Sequence, residues 1–449
     1  MSINTKNMLL SLIAPILIVI AKPFALSFEQ SVVLGTLIFT ITVWVNGAIH
    51  KSAASLIALA LFYLFGHPTL TRLFQFPLSE NFVLIVFSFV FSQGIANSGL
   101  AEQLIEPFLI RHTKTKYRLL AVIYLLAFMM IFVIPQPFSR VIILSHIFYQ
   151  YFNKLRLEKQ TQSILMFAVF LFSMFINMTM IRGDIILNNA LLAMSNQSIS
   201  ELTWLKWMGL PTLIYCLMAL LLFARIFHVA LSDYQTAALK IPHKAVAALT
   251  KQQKNHLLTI LIILIAWATE DLHGLSGTYV VIVGTAMMIP MRLVKKKDLK
   301  AINIHLLLFL TAAFAIGPVM TASGLADTLF SRFTHFFPGQ FSTLYAAVIL
   351  IVTTALHMIL GSNVTTMSVL IPGLMTISSG IASPTVIMFL IFIAVCGHII
   401  LPFHNVIILL GNGSNYYSNG TVIKYGLFLL PLMLFAALFI YLPWWHFMT

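Results

Sequence analysis

The chain has 449 residues, of which 60% are hydrophobic and only 8% charged, with a formal net charge of +14. A soluble domain carries about 25% charged residues and cannot hide so much apolar surface, which excludes a soluble enzyme, a disordered chain and a disulfide scaffold. A transmembrane β-barrel is excluded as well, because its strands read as alternating segments of about ten residues. What remains is an all-α polytopic membrane protein. The positive charge lies in short clusters between apolar runs, the pattern of cytoplasmic loops beside anionic lipid and not of a nucleic-acid surface. Cys216 and Cys396 both sit inside apolar runs and read as small buried hydrophobes.

A spanning helix needs about 20 apolar residues. Candidate spans lie near 8–22, 31–49, 52–66, 81–98, 163–194, 207–229, 256–272, 276–293, 303–323, 384–411 and 422–443. The first has one preceding lysine and no small-residue cleavage site, so it reads as a retained helix. Two more apolar stretches, 117–153 and 340–380, are interrupted centrally. The first breaks at Pro135-Gln136-Pro137-Phe138-Ser139-Arg140, the second at Gly361-Ser362-Asn363-Val364-Thr365-Thr366. Such residues at mid-stretch predict a re-entrant hairpin that enters and leaves on one side, each half about a dozen residues long. The expected architecture is eleven transmembrane helices plus two re-entrant hairpins.

Charge supports this topology. With the N-terminus inside, 20 Lys and Arg residues fall on the cytoplasmic side and only Lys22, Arg72, Lys206 and Arg332 outside. Arg140 and Arg182 fall within the membrane, and the C-terminus lies outside with Trp444 and Trp445 at the interface. The chain also repeats. Ser98-Gly99-Leu100-Ala101 recurs as Ser323-Gly324-Leu325-Ala326, and polar interruptions at Asn177–Asp184 and Leu401–Asn405 stand at a similar shift. The chain thus divides into an N-terminal helix (1–30), a first repeat (31–229), a basic cytoplasmic linker helix (230–254) and a second repeat (255–449) of inverted topology. Paired, interrupted segments in two inverted halves point to a secondary transporter with a midplane site.

The second hairpin tip is the most informative segment. A helix broken at depth frees carbonyls that can coordinate Na⁺ and N–H groups that favour an anion. Ser362, Asn363, Thr365 and Thr366 offer side-chain ligands there, with Ser362, Asn363 and Thr366 as Na⁺ candidates. A plain packing motif of small residues is the alternative. In Leu401-Pro402-Phe403-His404-Asn405, Pro402 breaks a span while His404 and Asn405 offer polar groups; a simple kink is the alternative. His357 and His398 are weaker candidates, read as satisfied buried histidines. Ser139, Arg140 and Arg182 are candidates for the opposite wall, because a guanidinium at depth lines a cavity or pairs with a partner. Asp184, two residues from Arg182, is the natural mate for a structural charge pair; otherwise one arginine holds an anionic substrate. No nucleotide-binding loop, H-E-x-x-H or Cys/His cluster is present, and no cofactor or catalytic residue is expected.

At this point the arrangement resembles the divalent anion/Na⁺ symporter permeases of the ion transporter superfamily, across nearly the whole chain. Trp44-Val45-Asn46-Gly47-Ala48-Ile49 resembles a W-x-T-E-A-I-P segment without its acid and proline. Ser362-Asn363-Val364-Thr365 resembles a Ser-Asn-Thr hairpin tip, and Pro402-Phe403-His404-Asn405 a broken tenth span. The two SGLA segments and the ending Leu442-Pro443-Trp444-Trp445 fit the same pattern. The first half departs from it: Pro137-Phe138-Ser139-Arg140 stands where a second Ser-Asn-Thr is expected, and Asn177–Asp184 where a Gly-Thr-Pro-Pro-Asn-like run is expected. The resemblance places a first Na⁺ site on those elements, so an arginine near that position could replace Na⁺ as a fixed cation. It further implies a homodimer, a moving transport part and an elevator motion.

The reading that follows is a non-enzymatic secondary transporter of a small anion, a di- or tricarboxylate or an inorganic oxyanion. Na⁺ is the coupling ion, lipid and a second copy are the partners, and the location is a cytoplasmic membrane. A cation/proton antiporter of the same superfamily is a rival reading and would need a central titratable carboxylate, for which only Asp184 is available. A membrane-embedded transferase and a degenerate, non-transporting permease are two further rivals.

Overall fold

The computed structural model of the chain describes residues 3–46, 48–100, 103, 108–109, 111–133, 137–238, 249–269, 273–302, 304–330 and 337–448. Every regular element among them is helical. Apolar surroundings offer the backbone no other partner, and a helix satisfies its own donors and acceptors. The first four helices are α1 (Ile3–Ala21), α2 (Phe28–Asn46), α3 (Lys51–Gly66) and α4 (Glu80–Asn97). A helix pair follows, α5 (Lys116–Val133) and α6 (Pro137–Lys154), then α7 (Lys159–Phe175) and α8 (Leu187–Ser195). Next come α9 (Leu210–Ile226), α10 (His228–Ala238), α11 (Lys251–Ala268), α12 (Gly277–Met288) and α13 (Ile304–Ala322). The second pair is α14 (Thr343–Leu360) and α15 (Asn363–Ile377), followed by α16 (Pro384–Cys396), α17 (Val406–Gly413) and α18 (Asn419–Ala436).

Helices fill the apolar runs expected to span. Among the described residues three stretches are long and apolar enough to cross a membrane on their own: Lys159–Thr179, Glu201–Ile226 and Asn419–Met448. Shorter apolar helices accompany them. Large apolar side chains stand exposed along the outer helices, including Leu9, Ile13 and Leu17 on α1 and Leu213, Leu217 and Leu221 on α9. Leu258, Ile262 and Ile265 on α11 do the same. Such surface is stable only against lipid, and the chain is an integral membrane protein.

The interior is built on the two helices that are apolar all round. Leu165–Phe175 of α7 and Val386–Cys396 of α16 are buried on every side. Both then break. α7 unwinds into two 3₁₀ turns, Ile176–Thr179 and Ile181–Asp184, before α8 resumes. α16 stops at Cys396, and the chain passes through a 3₁₀ turn at Pro402–His404 into α17. Pro402 lacks the N–H a continuous helix would need. Side chains take up the freed carbonyls. Asn188 Nδ2 donates to the carbonyls of Asn177 (2.9 Å), Met180 (3.0 Å) and Ile181 (3.2 Å). Trp204 Nε1 donates to Met178 O at 3.1 Å, and the Tyr215 hydroxyl donates to Gly397 O. The order of helix pair, then broken helix, occurs twice.

The turns at the repeated SGLA segments match: Gly99 has φ +64° and Gly324 φ +67°, a left-handed conformation that glycine adopts without steric cost. At the second pair the chain reverses through Gly361, at φ +61°. At the first pair residues 134–136 lie outside the described residues. The paired helices have 18, 18, 18 and 15 residues, longer than the dozen expected, because residues of each interruption, Pro137–Arg140 and Asn363–Thr366, are taken into the first turn of the following helix. At 1.5 Å per residue the longest reach about 27 Å. Of the expected linker helix 230–254, α10 covers the start; 239–248 lie outside the described residues.

α18 backs directly onto the second break. A Cβ on Gly426 would stand 2.9 Å from Ile399 C and from Ile400 Cα, backbone atoms that cannot swing aside. Gly426→Val is therefore expected to destabilise the fold by about 2–3 kcal/mol. Thermal denaturation in detergent checks this, and an unchanged melting temperature would mean the break does not pack on α18 as described.

Candidate functional site

Breaking two helices and reversing two pairs produces helix starts inside the protein. Those of α6, α8, α15 and α17 meet around one cavity of about 620 Å³. Phe138 lines it from α6, Ile186 and Leu187 from α8, Ser362, Asn363 and Val364 from α15, and Asn405, Val406 and Ile407 from α17. His50 and Lys51 at the start of α3, and His305 and Phe309 on α13, form the remaining wall. Asp184, Asn363 and Asn405 are buried, whereas His50, Lys51 and His305 are exposed on the open side. Each helix start presents free N–H groups and the positive end of its dipole, so the cavity favours negative charge.

Side chains cap three of these starts. Asp184 Oδ1 accepts from the N–H groups of Ile186 (3.2 Å) and Leu187 (3.0 Å) at α8. Asn405 Oδ1 accepts from Ile407 N (2.9 Å) and Ile408 N (3.4 Å) at α17. Ser362 Oγ accepts from Thr365 N at α15. Asp184 and Asn405 thus do the same work in the two halves, one as a charged residue and the other neutral.

The charge on Asp184 has a counterpart. Arg140, in the first turn of α6, is fully buried. Its guanidinium donates to Asn177 Oδ1 at 2.6 Å and to the Gly183 carbonyl at 2.5 Å, and interacts electrostatically with Asp184. In the second half Asn363 stands at the matching place in Ser-Asn-Val, against Ser-Arg-Val in the first. There His357 Nε2 lies 3.2 Å from both Asn363 Oδ1 and the His404 carbonyl. Two oxygen acceptors require the Nε2–H tautomer of His357. Asn363 Nδ2 donates to Cys396 Sγ at 3.7 Å. Equivalent carbonyls at the two breaks, those of Gly183 and His404, are therefore held by a guanidinium in one half and an imidazole in the other.

Of the residues singled out in the sequence, Ser362, Asn363, Asn405 and Asp184 come together on the cavity. Arg140 sits behind Asp184, within the break. Arg182 pairs with Glu201, Nε to Oε1 at 3.4 Å, so each charge meets a different mate from the one expected: Arg182 meets Glu201, and Asp184 meets the α8 start and Arg140. Thr365 and Thr366 are buried inside the first turn of α15, where the Thr366 hydroxyl donates to Ser362 O at 2.9 Å. His404 is buried too, its Nδ1 accepting from Ile400 N and Leu401 N at 3.4 Å. It clusters with His357 and His398, with ring centroids 5.1, 5.5 and 6.4 Å apart. Ser139 lies in the first turn of α6, and its side chain lies outside the described residues.

Glu201, His50, Lys51 and His305 are additions the sequence alone did not yield. Lys51 is counted there among loop cations, and His50 occupies the place of the missing proline in the W-x-T-E-A-I-P resemblance. Nothing in the sequence brings residues 50 and 305 together.

Removing the guanidinium strands two buried oxygens and a carboxylate. Arg140→Met should cost about 3 kcal/mol of stability, and adding Asp184→Asn should recover part of it by deleting the unmatched charge. Melting temperatures of the two single variants and the double variant test this; strictly additive losses would show that the two residues do not interact.

Comparison with known proteins agrees with this architecture. No curated protein sequence matches the chain significantly. A family model described as the sodium:sulfate symporter transmembrane region matches residues 2–449. A match over essentially the whole length shows that the chain belongs to the sodium:sulfate symporter family, the divalent anion/Na⁺ symporters, which are transporters with sodium as the coupling ion.

Proposed function

We propose that the protein is a secondary transporter that carries a small anion through the cavity between the two helix breaks. The observation that carries this is the convergence of four helix starts on one cavity. Among the described residues its only lining carboxylate is Asp184, already matched by Arg140 and by backbone N–H groups. The remaining field is positive, which suits a carboxylate or an inorganic oxyanion. Ser362, Asn363 and Asn405 are the contacts nearest the anion.

Na⁺ enters at the second half. Asn363 Oδ1 and the His404 carbonyl converge there on His357 N–H, and Ser362 and Thr366 stand in the adjoining turn. An incoming cation takes over those oxygens as His357 turns away. In the first half Arg140 already holds the Gly183 carbonyl, the counterpart of that of His404, together with Asn177 Oδ1, so that half needs no ion. The same reading has the paired helices as re-entrant hairpins in two inverted repeats, eleven spans, the N-terminus inside and the C-terminus outside. The protein works as a homodimer in the cytoplasmic membrane, with an elevator motion of the two helix pairs. A cation/proton antiporter is disfavoured by the same facts, because Asp184 is committed to capping α8.

Purified protein in proteoliposomes should accumulate a labelled anion when Na⁺ is high outside, and K⁺ should not substitute. Asn363→Ala should lower uptake at least about tenfold, since it removes both a cavity contact and an oxygen of the Na⁺ position. Uptake that is equal in Na⁺ and K⁺, or unaffected by Asn363→Ala, would contradict the proposal.

A further inference from the structure

We propose that Lys51 is the charge-selecting residue of the cavity, receiving the distal negative group of an elongated anion whose near end rests on the α15 and α17 starts. This rests on the reading of the cavity as the transport site. Two features of the cavity demand more than a site for one compact ion. Its volume of about 620 Å³ falls in the range of pockets for organic molecules, roughly 300–1,000 Å³. An oxyanion with five heavy atoms fills little of it. Its positive features also come from separate elements: the starts of α15 and α17, and Lys51 on α3 beside Phe309 of α13.

The lysine is held in place to serve. Lys51 is the first residue of α3, and its backbone carbonyl accepts from Trp44 Nε1 at 3.2 Å and from Ser55 Oγ at 2.8 Å. Its ammonium stands 5.6 Å from the centroid of the Phe309 ring, another lining residue. No carboxylate among the described residues forms an ion pair with it. Beside it, Ser52 Oγ joins His50 Nδ1 (2.7 Å) to His305 Nδ1 (2.9 Å), and the two rings lie 4.3 Å apart. That bridge ties the start of α3 to α13 and fixes the wall on which Lys51 stands.

A cation that no carboxylate among the described residues pairs with, lining a cavity already favourable to anions, rewards a second negative charge at the correct distance. An anion with one charged end is satisfied by the helix starts alone and gains nothing from Lys51. The residue therefore discriminates between ligands of equal length and different charge.

The test uses purified full-length protein and three probes: succinate, butyrate (four carbons also, one charge) and sulfate. For each, the concentration giving half-maximal thermal stabilisation is measured in wild type, Lys51→Met, Lys51→Gln and Lys51→Arg. Succinate should act at least about tenfold below butyrate and sulfate in wild type. Lys51→Met and Lys51→Gln should abolish that preference by weakening succinate about tenfold while leaving butyrate and sulfate unchanged, and Lys51→Arg should keep it. Two neutral variants guard against one that fails to fold, and ligand-free melts identify it. Equal weakening of all three probes, or no weakening of succinate, overturns the assignment. Stabilisation of wild type by none of several further mono- and dianions would instead contradict the transport reading itself, and Lys51 would lose its role with it.

Discussion

A helix that stops inside a membrane leaves backbone groups that lipid cannot satisfy, each costing several kcal/mol if left alone. This protein stops two apolar helices in its buried interior, at Phe175 and at Cys396. Much of what surrounds the breaks exists to supply partners. Asn188 serves three carbonyls of the first break, Trp204 a fourth, and Arg140 the Gly183 carbonyl. Tyr215 and His357 do the same for the second. The N–H groups on the far side of each break are left facing the cavity, apart from those that Asp184 and Asn405 cap. The anion preference proposed for the cavity follows from this asymmetry: side chains take up the carbonyls, whereas the helix starts turn their positive ends to the cavity.

The two halves solve the same problem differently. In the first, a full positive charge on Arg140 is buried against Asn177, Gly183 and Asp184, an arrangement that is permanent because removing any member strands the others. In the second, an imidazole spans Asn363 and His404 through two contacts of 3.2 Å, the oxygens that the proposed reading gives to Na⁺. One half is closed chemistry and the other is open. The proposal that sodium couples through the second half alone rests on that difference.

Much of this was legible in the residues. Apolar runs, Pro402, Gly361 and the recurrence of Ser-Gly-Leu-Ala mark the helices and the breaks, because lipid imposes a length and a period that the sequence must obey. Ser362, Asn363 and Asn405 were identifiable because polar residues at depth are costly without a role. Partner choice was not legible. Asp184 looks like the mate of Arg182 two residues away, yet the 3₁₀ turn directs it to the α8 start and to Arg140, while Arg182 turns to Glu201 across 19 residues of sequence. The wall of His50, Lys51 and His305 is invisible for a related reason: α3 meets α13 only through packing between distant parts of the chain, and no local pattern encodes it.

The position of the anion is the central claim. The most direct measurement is a cryo-EM map of the protein in lipid nanodiscs, with and without a saturating anion that stabilises it. Difference density bounded by Ser362, Asn363 and Asn405, where the helix starts of the two halves face one another, is the expected result. Density elsewhere, or a cavity unchanged at saturation, would contradict it.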